Sequence, residues 1–270
     1  MIHNLYKERG ETPLECIQRF IEKYPEYKKD KFTYLGRLDP LAEGVLLVGS
    51  GEEDTKQKRR EEFFGLDKEY EFVALFGFAT DTYDVLGKIL RVEKIEKLDE
   101  MDLIKVCKVS EGEKEQEYPE YSSKMIASRK SFSSEKSSGR SFGLNQTFST
   151  ENFSEKKKIN IYKLEFKKLD TLSHKELFGR LLMDISKVKG DFRQNEILIL
   201  WKQILFPSPD QGEGRVGFLA KFDAHVSSGT YIRGIVNDMG KTLGLGATTL
   251  SIKRNRVGDH KIEDSFRFLL

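Results

Sequence analysis

Apolar positions along the chain follow two periods. Leu14, Ile17, Phe20 and Ile21 share one helical face. Ahead of them, Thr12-Pro13-Leu14-Glu15 supplies Thr as N-cap, Pro at the first helical position and Glu at the third. Gly44-Val45-Leu46-Leu47-Val48-Gly49 is a short apolar run between glycines and predicts a buried strand. Residues 52–62 are polar with mixed charge and predict a surface helix. Tyr70-Glu71-Phe72-Val73-Ala74-Leu75-Phe76-Gly77 and Lys88-Ile89-Leu90-Arg91-Val92 predict two strands, and the turn-rich stretch 81–87 between them predicts a hairpin with a long tip.

The second half continues the pattern. Ile159-Asn160-Ile161-Tyr162-Lys163-Leu164-Glu165-Phe166 alternates with period two, as a half-buried strand does. From His174 to Leu205, Leu177, Leu181, Leu182, Ile185, Val188, Ile197, Leu198 and Trp201 recur at helical spacing, and Gly190 divides the run into two helices. A loop follows over 207–214, then a strand over 218–226. Tyr231-Ile232-Arg233 leads into an amphipathic helix carried by Ile235, Val236, Met239 and Leu243, with Gly244 as its stop. No internal repeat is present.

Composition narrows the class. The chain has 270 residues, is 33% charged, and carries a formal net charge of only +2. No apolar run approaches the ~20 residues that a bilayer span needs, and the first residues lack the apolar core of a secretory signal. Cys16 and Cys107 fit no metal-ligand or redox spacing, and His3, His174, His225 and His260 lie far apart. A reducing cytoplasmic setting without a metal is the expectation. Charge is uneven, however. Segment 122–158 is rich in Ser and has eight basic residues against three acidic ones, and 221–261 has seven against three. The first reads as a mobile solvated linker by composition. The second is either a phosphate-binding face or an ordinary solvated surface.

Three local patterns could carry chemistry. In Gly36-Arg37-Leu38-Asp39-Pro40-Leu41-Ala42-Glu43-Gly44 the proline restricts Asp39 to extended conformations just before a buried strand. That suits a carboxylate aimed into a cleft, and equally an aspartate bonded to its own backbone. In Ser227-Ser228-Gly229-Thr230-Tyr231-Ile232-Arg233-Gly234, Arg233 could pair with a buried carboxylate or a phosphate, or be a plain exposed residue at a helix entry. Lys253-Arg254-Asn255-Arg256 is the third.

Taken together and in this order, the patterns resemble one family, the TruB-type tRNA pseudouridine synthases. Lys7-Glu8-Arg9-Gly10-Glu11-Thr12 is similar to the family's opening motif, although Glu8 stands where Pro is usual. Residues 36–44 resemble its Gly-x-Leu-Asp-Pro-x-Ala-x-Gly. Lys68-Glu69-Tyr70, Asp81-Thr82-Tyr83-Asp84 with Gly87, Pro119-Glu120-Tyr121-Ser122-Ser123-Lys124, Gly229-Thr230-Tyr231-Ile232-Arg233, and Gly244 and Gly246-Ala247 with Lys253-Arg254 resemble further motifs. Tyr34 stands where the family has a His.

The resemblance implies an α+β pseudouridine synthase fold: a mixed, mainly antiparallel sheet flanked by helices, with a central RNA-binding cleft. It implies isomerisation of uridine-55 in the T-loop of tRNA, on a flipped-out base, with Asp39 as nucleophile and no cofactor or metal. Tyr70 would stack on the base and serve the proton step, and Arg233 would pair with Asp39. Tyr34, Arg37, Tyr231, Ile252, Lys7, Lys253 and Arg254 would contact substrate. The partner would be the tRNA T-arm stem-loop, and the protein a monomer. Residues 1–270 would form a single catalytic domain. It would carry a basic flexible insertion at about 122–158 that orders on RNA and a helical insertion at about 174–205, without the C-terminal PUA-type domain. Two alternatives stand: an RNA-binding or tRNA-folding protein of this fold without catalysis, and a synthase for another tRNA or rRNA uridine.

Overall fold

The computed structural model describes residues 1–117, 156–207 and 217–268. The Pro119–Lys124 motif, the 122–155 part of the Ser-rich segment and the loop at 208–214 lie outside the described residues.

The strands are β1 (Ile2–Lys7), β2 (Phe32–Tyr34), β3 (Ala42–Ser50), β4 (Lys68–Phe76), β5 (Phe78–Thr80), β6 (Ile89–Val92), β7 (Gly112–Glu117), β8 (Lys156–Leu172), β9 (Gly217–Val226), β10 (Ala247–Val257) and β11 (His260–Lys261). The helices are α1 (Pro13–Lys23), α2 (Gly51–Asp54), α3 (Gln57–Phe64), α4 (Glu100–Ser110), α5 (His174–Ser186), α6 (Gln194–Leu205) and α7 (Ile232–Thr242). Among the described residues, the main sheet has the order β1-β3-β10-β4-β9-β8-β7, with β2 on β3 and β11 on β10. Its pairs are antiparallel except β3 with β10. This is the mixed, mainly antiparallel α+β architecture expected from the sequence.

Helices cover both faces. Leu103, Val106 and Cys107 of α4 pack with Ile232, Ile235, Val236 and Met239 of α7 against Tyr70, Phe72, Ala74 and Phe222. On the opposite face, Leu177, Leu181 and Ile185 of α5 and Ile197, Trp201 and Leu205 of α6 pack against Leu75, Leu219 and Leu250. The period-two alternation of β4 therefore sorts its residues between two cores. Among the described residues, no helix is long and apolar enough to cross a membrane. Cys16 and Cys107 are free, and burial pushes both thiols up to about 12.

Local expectations meet three corrections. The capping box at Thr12 and Glu15 forms, but Leu14 is exposed. The buried stripe of α1 centres on Cys16, Ile17 and Phe20, and Leu14 lies beyond its rim. The helix expected over 52–62 is broken between α2 and α3 at Thr55 and Lys56. The hairpin expected between residues 70–77 and 88–92 does not form, because β9 and β10 occupy both edges of β4. The chain turns instead at Gly77 (φ 91°), and β5 pairs with β6 in a separate two-stranded ribbon. Left-handed φ of this kind suits glycine, which has no Cβ to clash.

Candidate active site

Asp39 sits in a tight turn immediately before β3. The Ala42 N–H donates to the Asp39 carbonyl at 3.0 Å, with Pro40 inside the turn where its fixed φ is favourable. Beneath the turn lie two buried cations. Lys7, wholly buried, donates to the carbonyls of Ala42 (2.5 Å), Glu8 (3.1 Å) and Pro40 (3.3 Å). Arg254, also buried, donates through Nε to Val45 O (2.7 Å), Nη1 to Arg37 O (3.1 Å) and Nη2 to Gly36 O (3.2 Å). Gly44 makes the close approach possible: at φ 107°, an added Cβ would stand 2.3 Å from the Arg254 carbonyl.

Arg233, in the first turn of α7, meets the Asp39 side chain. Its Nη2 donates to Oδ1 at 3.2 Å, and its Nε lies 2.8 Å from Oδ2. The Asp39 side chain is 38% exposed while that of Arg233 is 6% exposed, so the carboxylate is reachable and its partner is not. A second anchor holds Arg233 from behind. Its Nη1 donates to the Thr82 carbonyl at 2.6 Å and lies 3.5 Å from Asp84 Oδ2. Burial pulls the Arg233 pKa down, but the carboxylates of Asp39 and Asp84 outweigh it and hold the group above its ordinary value. Burial pushes the Asp84 carboxyl up, with the nearby Asp39 charge adding to it and Arg233 opposing.

The loop at 81–87 is built to present these anchors. Asp84 Oδ1 accepts from the Leu86 N–H (3.0 Å) and the Thr82 hydroxyl (2.7 Å), and Asp81 Oδ1 accepts from the Lys88 N–H (2.7 Å). Gly87 has no room for a side chain: a Cβ would lie 2.3 Å from Thr82 Oγ1. Gln116 of β7 holds the start of α7 by bonding both the N–H and the carbonyl of Tyr231, at 2.8 and 2.9 Å.

The remaining expected residues divide. Tyr70 and Ile252 are buried in one apolar cluster with Leu38, next to Asp39. Register places Arg254 opposite Tyr70 and Ile252 opposite Phe72, so all share that face. Lys7 and Arg254, expected against substrate, are corrected: both are buried and hold the turn's backbone. Lys253, partly exposed, lies on the other face, opposite Glu71 and Glu43. Tyr34 packs against the cluster of Leu5, Phe20, Leu46 and Val48, with the exposed Arg37 guanidinium 5.4 Å from its ring centroid. The structure thus joins Tyr34 to Arg37 rather than to the Asp39–Arg233 pair. Several of the basic residues of 221–261 are paired with carboxylates. Lys221 pairs with Glu71, Lys241 with Asp238, and Arg256 with Asp67 and Glu69.

Sequence reasoning gave no role to Asp84, Thr82 or Gln116. The Asp81-Thr82-Tyr83-Asp84 motif held the signal for the first two, since a second acidic group is what a buried arginine facing Asp39 needs. Gln116 has no such signal, being one polar residue in a polar strand.

Known proteins resemble the chain along most of its length. Residues 25–177 match the TruB family pseudouridylate synthase N-terminal domain. The chain is similar to proteins named tRNA pseudouridine synthase B from Aquifex aeolicus (strain VF5) and Clostridium tetani (strain Massachusetts / E88). Each is 28% identical, with 96% and 97% of this chain covered and 69% of each relative. It is 25% identical to the tRNA pseudouridine synthase 4 of Schizosaccharomyces pombe (strain 972 / ATCC 24843), covering 87% of this chain and 66% of that protein. Among solved structures it resembles a chain of a Cbf5-Nop10-Gar1 complex (TM-score 0.52, 19% identity). It also resembles a chain of an H/ACA RNP bound to a substrate RNA containing 2'-deoxyuridine (TM-score 0.51, 18% identity). Each likeness covers 96% of this chain but only 49% and 48% of the solved chains, so the chain spans about half their length.

Proposed function

The chain belongs to the TruB family of pseudouridylate synthases, and from that premise we propose that it isomerises uridine to pseudouridine in tRNA, at position 55 of the T-loop, with Asp39 as nucleophile. The observation that carries the reading is the Asp39–Arg233 pair: a reachable carboxylate held by a buried, doubly anchored guanidinium. Position 55 rests on the similarity to proteins named tRNA pseudouridine synthase B.

The reaction exchanges one glycosidic bond for another. Uridine must leave its stack to reach the site. Asp39, oriented by Arg233, attacks either the ribose C1′ or the uracil C6, and the C1′–N1 bond breaks. The freed uracil turns and rejoins through C5: C1′–C5 forms, and the bond from the Asp39 oxygen breaks, at C1′ by displacement or at C6 by elimination, which returns the free carboxylate. C5 then loses its proton and N1 gains one, so atoms and charge balance with no oxidant or reductant. Tyr70, buried in one cluster with Leu38 and Ile252, takes the base-stacking and proton-handling role, with Ile252 and Tyr231 as apolar and aromatic walls. Excluding water keeps the detached base from being lost. Arg37, exposed beside the partly buried Tyr34 ring, offers a contact for an RNA base or phosphate.

The test is turnover on an unmodified tRNA T-arm hairpin, with the product base mapped by pseudouridine-selective chemical labelling. Wild type is expected to label at the position equivalent to uridine 55. Asp39→Ala should bind the hairpin and give no label. A folded, hairpin-binding wild type without product would refute the reading and favour a non-catalytic tRNA-binding role. Product at another uridine would keep the enzyme and change its target.

A further inference from the structure

Helix α6 holds the loop at 81–88 at three points. In the middle, the indole Nε1 of the fully buried Trp201 donates to the Val85 carbonyl at 3.1 Å, and its ring packs 5.1 Å from that of Phe78. At one end, Arg193, just before α6, places Nη1 3.5 Å from Asp81 Oδ2. At the other end, Glu196 pairs with Lys88 at 2.7 Å. Those two ends are themselves joined, the Asp81 N–H donating to the Lys88 carbonyl at 3.0 Å.

Between those ends lie both anchors of Arg233, the Thr82 carbonyl and the Asp84 carboxylate. The loop is also held from the sheet side. The Val85 N–H donates to Thr249 O at 3.2 Å, and the Thr249 N–H donates to Tyr83 O at 2.9 Å. The Val85 peptide is therefore clamped between β10 and Trp201. Tyr83 is left-handed at φ 62°, a conformation that a bulky residue keeps only where its surroundings over-determine it.

We propose that Trp201 is a positioning residue for the Asp39–Arg233 pair, acting through this loop, and that α6 serves catalysis as the loop's outer clamp. The proposal rests on the pseudouridine synthase reading above. Asp39 is oriented by Arg233, Arg233 by Thr82 and Asp84, and that loop by Trp201. Each link is a hydrogen bond or ion pair between groups the fold buries in whole or part. Small displacements of catalytic groups are costly in rate, about 100-fold for roughly 1 Å.

The test is Trp201→Phe, which keeps an aromatic ring against Phe78 and removes the indole N–H. On the T-arm hairpin under single-turnover conditions, the rate is expected to fall at least about tenfold while hairpin affinity stays within about twofold. The same change is then made in an Asp84→Asn background. If Trp201 acts through the loop anchors, its effect there should shrink to less than about twofold, because coupled residues are not additive. Equal losses in both backgrounds, or an unchanged rate in Trp201→Phe, would overturn the proposal. Should Trp201→Phe not fold, as judged by thermal melting, Glu196→Gln applies the same cycle from a half-exposed site, with an expected two- to threefold loss that vanishes in Asp84→Asn. Absence of turnover by folded wild type overturns both the proposal and the reading beneath it. Wild-type turnover with additive losses overturns the proposal alone.

Discussion

Arg233 and Arg254 reach the Asp39 turn from different elements, and both are almost wholly buried. Arg233 directs its guanidinium at two carboxylates and one carbonyl; Arg254 directs its own at three carbonyls. The first therefore fixes a reachable carboxylate side chain, and the second fixes the backbone that carries it. Burial alone does not separate an arginine that serves chemistry from one that serves folding; the partners do. A buried cation bonded only to carbonyls stiffens a turn, whereas one that meets a half-exposed carboxylate sets that group's direction.

The contrast can be broken most sharply at Arg233. Arg233→Lys keeps the charge but loses the fork that spans Asp39 and the Thr82–Asp84 anchor. The single-turnover rate on the T-arm hairpin should fall by about a thousandfold, with the melting temperature little altered. A large melting shift with a preserved rate would make Arg233 a second Arg254. The reverse is expected at Arg254. Arg254→Met leaves the carbonyls of Gly36, Arg37 and Val45 without their donor, at about 1–3 kcal/mol for each acceptor left unpaired. Urea unfolding should show that loss directly. The rate of the fraction that remains folded should fall less than in Arg233→Lys.

Lys7 sharpens the comparison through pH. Burial pushes it down to about 8, from 10.5 for an ordinary lysine. Between those values the unfolded chain binds the proton and the folded chain does not, so the Lys7 contribution to stability rises as pH rises. Urea unfolding of wild type should gain on Lys7→Met between about pH 8 and 10; a constant gap would mean that Lys7 keeps its charge in the fold. The smallest effect is expected at Arg37, the exposed member of the Tyr34–Arg37 pair, where Arg37→Ala should weaken hairpin binding by about twofold to fivefold, a typical exposed cation–π or phosphate contact, and leave the bound-state rate unchanged.

Much of this architecture is legible in the chain. Thr12 with Glu15, Gly190 between two apolar periods, and the Val45–Val48 run each announce an element that the structure contains. Pairing is less legible, because strand partners depend on edges already taken: nothing in residues 70–92 says that β9 and β10 fill both sides of β4. At the site, Asp39 and Arg233 are readable from their motifs. Lys7 and Arg254 mislead because charged side chains are so rarely wholly buried. Their burial becomes visible only when the turn's carbonyls are seen pointing inward. Asp84 lies between, present in a motif but given meaning only by the arginine 149 positions later that it faces.

The central claim is that Asp39, oriented by Arg233, forms the reacting carboxylate. Its most direct test is Asp39→Asn, which preserves shape while removing the charge and one of the two acceptor oxygens. With the unmodified T-arm hairpin, wild type should yield pseudouridine, and Asp39→Asn should bind the same RNA with affinity within about threefold and yield none above background. Pseudouridine formation by Asp39→Asn at a rate near wild type would contradict the account.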